Sequence, residues 1–98
     1  MEEVRLKRLL SLQKMEATEA EVYRRLAKIQ NDPVNKSILE GIALEEERHE
    51  LVISKITEQK VSPDWFQVIK HVILARVFGF TFSIMMMEET ERARLAPS

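Results

Sequence analysis

The chain has 98 residues, 15 Lys and Arg against 16 Asp and Glu for a formal net charge of -1, 45% apolar residues and no cysteine. That length makes one small domain near the lower limit at which a core is comfortable alone. Near-neutral charge without basic-aromatic interleaving gives nothing to grip nucleic acid, and the lack of Cys excludes disulfides, thiolate metal sites and a catalytic thiol.

With only 2 Gly and 3 Pro the composition is that of an all-α protein. A reducing cytoplasm is the expected location, since the N-terminus alternates charge with leucine where a secretory signal would be apolar. The least polar stretch, Val72 to Met87, contains Arg76. Its charge-free part from Val77 is well short of the roughly 18 to 20 residues a membrane span needs. It reads as core or interface, with Met85 to Met87 offering adaptable surface.

A first helix is predicted from about Glu2 to Gln30, with Leu9, Leu12, Met15, Val22, Tyr23, Leu26 and Ile29 at helical spacing. Asn31, Asp32 and Pro33 break it, Asp32 serving as N-cap and Pro33 as first residue of a second helix reaching about Glu58. Ser62 before Pro63 repeats that punctuation and opens a third helical region, through Trp65, Val68, Ile69, Val72 and Ile73 to about Leu95. Gly79 is its one point for a kink or close packing.

The second helix carries an anomaly. Its stripe Ile38, Ile42, Glu46, His49, Ile53 and Ile56 places a carboxylate and an imidazole on an apolar face. Such groups cost several kcal/mol there unless paired or bound to metal, and Glu-x-x-His is the spacing by which bundle helices present ligands inward. The first helix places Glu16 in or beside its own stripe, with Glu19 near it and Tyr23 on the same side. The third ends in Phe80, Ile84, Met87, Glu88 and Glu91, whose paired carboxylates are hard ligands suited to iron or manganese.

Glu16 lies about 15 residues before the first turn, and Glu46 and His49 about 13 and 16 after it, so all are roughly 20 to 24 Å from it and level in an antiparallel hairpin. Glu88 does not fit as simply. A straight helix puts it about 38 Å beyond Pro63, whereas His49 is about 14 Å from the end of its helix. Either residues 59 to 75 run back as a crossover and a third core helix starts near Arg76, or a long helix delivers Glu88 and Glu91 to another subunit; the crossover is the favoured expectation.

Placed together, Glu16, Tyr23, Glu46, His49, Glu88 and Glu91 resemble the rubrerythrin-like branch of the ferritin-like di-iron superfamily. In that family the first helix carries a Glu with a Tyr seven residues on, the second Glu-x-x-His and the third Glu-x-x-Glu. The segments MEATEAEVYRRLAKIQ, ILEGIALEEERHELV and LARVFGFTFSIMMMEETE are most similar to the rubrerythrin-type domain of vacuolar-iron-transporter-like proteins. The resemblance spans roughly residues 10 to 92. It implies a four-helix bundle whose metal ligands are Glu16, Glu46, His49, Glu88 and Glu91. Glu16 and Glu88 would be terminal ligands, Glu46 and Glu91 bridges, and Glu19 and Tyr23 would bind additional metal or support the ligands.

The family's fourth helix, with a second Glu-x-x-His, has no counterpart before Ser98. Either the chain is a piece of a longer protein that adjoins a membrane transporter part, or two chains associate as a homodimer or larger oligomer. The rubredoxin-like iron centre of full rubrerythrins requires cysteines and is absent.

The implied cofactor is iron, as a di-iron centre, with manganese or zinc as alternatives. The implied activity is ferroxidase or peroxide-linked iron oxidation. A non-catalytic Fe(II)-binding or sensing domain serving iron transport or storage is the second expectation, and a helical dimerisation module without functional metal the third. Blander roles exist for each residue: a surface salt network for Glu45 to Glu47, Lys14 as partner of Glu16, a solvated helix end for Glu88 and Glu91, and ordinary half-burial for Tyr23. His71 is expected at the surface, and Trp65, Phe66, Phe78, Phe80 and Phe82 in the core or a subunit interface.

Overall fold

A computed structural model describes residues 2–95, with side chains throughout except at residues 80–83, 86, 90, 94 and 95. The protein is all-α, in the order α1 (Glu2–Ile29), α2 (Pro33–Thr57), α3 (Trp65–Phe78) and α4 (Phe80–Leu95). No helix of the described residues is long and apolar enough to cross a membrane.

The first turn follows from its chemistry. The Asp32 carboxylate accepts the N–H groups of Val34 at 2.8 Å and Asn35 at 3.1 Å, two donors the first turn of α2 otherwise leaves bare. Pro33 opens the helix without needing a donor. At the far end Glu58 adopts φ 56, ψ 30 and its N–H closes on Ser54 O at 2.8 Å, a left-handed stop.

The buried positions Gln13, Glu16, Ala20, Tyr23 and Ala27 of α1 are spaced alternately by three and four residues, as are Leu39, Ala43, Glu46, Glu50, Ile53 and Thr57 of α2, where Glu46 and Glu50 are half-buried. This is the spacing of antiparallel seams in bundles, and alanines let such helices approach closely. The seam is rotated by about one residue from the expected isoleucine stripe. Ile53 is buried and Ile42 packs against the core, but Ile38 and Ile56 are 55% and 63% exposed. The reason lies in which helices lie side by side: among the described residues the α2 backbone runs close to that of α1 but not to that of α3 or α4. Only the strip of α2 facing α1 is therefore covered, and Ile38 and Ile56 fall outside it.

The neighbouring face of α1 meets α3 and α4. Val22 and Leu26 are fully buried in a cluster that includes Val68, Ala75 and Met87. Asp64, not Ser62, caps α3, accepting the Gln67 N–H at 3.3 Å. The backbone N–H of Asp64 also donates to Thr18 Oγ1 at 2.9 Å, pinning the start of α3 to the middle of α1. Residues 58–64 thus carry the chain back along the bundle before α3 begins.

The expected third helical region is two helices, because Gly79 at φ 97, ψ 164 leaves the helical region. Its N–H still caps Ala75 O at 2.9 Å. The crossover expectation thus matches the described path, with the break three residues later than Arg76. Trp65, Phe66 and Phe78 are 46%, 73% and 63% exposed, so they lie outside the core of this chain; the side chains of Phe80 and Phe82 lie outside the described residues.

Candidate metal centre

α1 and α2 bring the expected residues to one height. His49 Nδ1 stands 3.4 Å from Glu16 Oε2, and one ligand atom from each of Glu16, Glu46 and His49 lies within 4.8 Å of the others. Glu16 is 7% exposed, Glu46 half-buried, and the His49 side chain 57% exposed. The cluster therefore has a buried carboxylate floor and an imidazole at its solvent side.

Two oxygens of this floor, Glu16 Oε2 and Glu46 Oε2, are buried and receive no hydrogen bond among the described residues. A buried acceptor left bare costs about 1 to 3 kcal/mol, and more when charged. Bringing two carboxyls together in such a place pushes up the affinity of the cluster for a positive partner. In its absence the protein holds protons there: Glu16 is pushed up to about 9, first by burial, then by contact with the Glu46 carboxyl and by repulsion from Glu46 and Glu91.

Glu19 belongs to the same electrostatic unit. It is 7% exposed and also pushed up to about 9, by burial first and then by Glu46, Glu91 and Glu16. Glu91, half-buried on α4, is raised by burial and by repulsion from Glu46 and Glu88, with the nearby His49 opposing. Tyr23, 8% exposed, is raised to about 12 by burial and then by the charges of Glu19, Glu46, Glu88 and Glu91.

The six acidic or imidazole residues selected from sequence are thus not equivalent. Glu16, Glu46 and His49 form the close group; Glu91 and Glu19 lie within electrostatic reach of it, on α4 and α1. Glu88 is exposed and outside the close group, its charge felt by Tyr23 and Glu91.

Two polar residues escaped the sequence reading. Gln13 is fully buried: its amide donates to Glu50 Oε2 at 3.0 Å and Gln59 O at 2.8 Å, and its carbonyl oxygen accepts the Thr57 hydroxyl at 2.8 Å. It locks the open end of the hairpin one turn below Glu16. The signal was available, since Gln13 precedes Glu16 by three residues and shares its face. His71, expected at the surface, is 4% exposed, and burial and the Lys70 charge lower its pKa. Val68, His71 and Ala75 form the buried stripe of α3, but apolar residues surround that helix and hide the choice of face.

Around the cluster, Arg24 bridges the helices, donating to Glu47 Oε2 at 2.8 Å and pairing with Glu21. Arg25 pairs with Glu21 at 3.1 Å and lies 5.5 Å from the centre of the Trp65 ring. These contacts neutralise Glu21 and Glu47 and leave the acids of the cluster to one another. No family model matches the chain, and no curated protein or solved structure matches it significantly.

Proposed function

We propose that the chain is a ferritin-like iron-binding protein whose metal is held by Glu16, Glu46 and His49, with Glu91 and Glu19 completing an acidic site and Glu88 at its edge. The observation that carries this reading is the pair of buried, unbonded carboxylate oxygens of Glu16 and Glu46 beside the His49 imidazole. A divalent cation supplies what both oxygens lack, and a set of several carboxylates with one imidazole suits iron or manganese. Bound there, iron would supply one-electron exchange with dioxygen or peroxide, the chemistry of a ferroxidase. The chain's own part is to gather the carboxylates, shield them on the bundle side and keep one face open. Tyr23, buried beside the acids, would orient the carboxylates.

A second reading has its own support. The His49 side chain is 57% exposed, so the site opens directly to solvent and suits capture and release of Fe(II) as cargo for transport or storage.

Association of two chains is part of the proposal. Val52 and Ile56, 59% and 63% exposed, follow His49 on the outer side of α2, and α3 exposes Phe66, Ile69, Ile73 and Val77. Clustered apolar exposure of this kind is the usual mark of an interface, and a second copy over α2 would close the side of the site where His49 meets solvent.

The test is anaerobic Fe(II) binding to the purified chain, followed by exposure to oxygen. Metal binding with accelerated oxidation supports the ferroxidase, binding without it the cargo domain, and less than about one iron per two chains the third possibility, a helical module without functional metal.

A further inference from the structure

On the far side of Glu19 from the hairpin seam lies a cavity between α1, α3 and α4 with a volume of about 30 Å³. Its walls are Met15, Thr18, Glu19 and Val22 from α1, Gln67 and His71 from α3, and Met87 from α4. A site needs only about 10 to 15 Å³ of space to hold one water, so the cavity has room for a small guest.

Met15 and Met87 are 3% and 4% exposed, His71 4% and Glu19 7%, and all four line the same small space. The Thr18 hydroxyl is committed elsewhere, donating to Lys14 O at 2.7 Å and accepting from Asp64 N. A hard cation such as magnesium or calcium requires six or more oxygens, and Glu19 and Gln67 alone supply few of them. Two thioethers are soft donors of the type that Cu(I) selects, and an imidazole also accepts copper.

We propose that this cavity is a site for one soft monovalent cation, of the Cu(I) class, with Met15, Met87 and His71 as donors. The site shares its Glu19 wall with the acidic group, but its donors Met15, Met87 and His71 are not part of that group and do not rest on the iron-binding reading. Methionines also fill irregular gaps in cores without binding anything, and the experiment separates the two roles.

Silver(I), a redox-silent stand-in for Cu(I), is titrated into the full chain while the methionine methyl resonances are followed and stoichiometry is read by native mass spectrometry. The expected result is one Ag(I) per chain, with the methyls of Met15 and Met87 shifting and that of exposed Met85 unchanged. His49→Ala retains this binding. Met15→Leu with Met87→Leu, a volume-conserving pair, weakens it at least tenfold at unchanged helicity. Absence of Ag(I) binding, shifts at Met85 instead of Met15 and Met87, or loss of binding in His49→Ala overturns the proposal. The wild-type methyl spectrum decides the matter alone if the double variant fails to fold.

Discussion

His49 Nδ1 on α2 faces Glu16 Oε2 on α1 across 3.4 Å, joining the exposed rim of the acidic cluster to its buried floor. That contact joins an imidazole to a carboxyl driven up to about 9. The cluster is therefore a place where protons and a metal ion compete, and its stability and binding should move in opposite directions with pH.

Metal-free protein should lose stability as pH rises from about 4.5 towards about 9. Glu16 and Glu19 have folded values near 9 against an ordinary value of 4.5. Below 4.5 both states carry the protons and the groups contribute nothing; above it the unfolded chain releases protons that the native chain keeps, so unfolding becomes easier until the folded groups ionise. Urea unfolding across this range should show the decline, and Glu16→Gln should flatten it. A stability independent of pH between 5 and 9 would contradict the burial of these acids.

Metal affinity should run the other way. The cation displaces protons from Glu16 and Glu19, so binding strengthens with pH and releases protons. Calorimetry in buffers of different ionisation enthalpy should detect that release. Glu19→Gln should weaken binding while raising the melting temperature of the metal-free protein, a trade typical of functional sites.

Gln13→Ala should cost about 2 to 3 kcal/mol, because it strands buried partners at the end of α2. Thr57, Glu50 and the Gln59 carbonyl each lose a partner. Urea denaturation measures the loss; a change below about 0.5 kcal/mol would show that water replaces the amide at no cost.

The two glycines should respond in opposite senses to alanine. Gly79 sits at φ 97, where a Cβ is strained whatever the space around it, so Gly79→Ala should cost about 1 to 3 kcal/mol and disturb the placement of Glu91 on α4. Gly41 is helical with open space where its Cβ would be, and Gly41→Ala should stabilise by about 0.5 to 1 kcal/mol. Thermal melts of the pair test the helix break directly.

Much of the hairpin was legible because turn chemistry and helical rise are local. Asp32 and Pro33 marked the turn, and counting residues from it put Glu16 level with Glu46 and His49. Which face of α2 is covered was not legible, since Ile38, Leu39, Ile42, Ile53 and Ile56 offer apolar choices on adjacent faces and only contact with α1 alone selects Leu39 and Ile53. The same ambiguity hid His71 on α3. Gly79 was legible as a potential break, but the two-helix path depends on packing against α1 through Val68, Ala75 and Met87, which no spacing rule encodes.

Anaerobic Fe(II) titration of the wild type beside Glu46→Ala with His49→Ala, read by bound metal per chain, tests the central claim most directly. The wild type should retain at least one iron per two chains after desalting, and the double variant should retain none while keeping its helicity. Equal retention by both proteins would contradict the site.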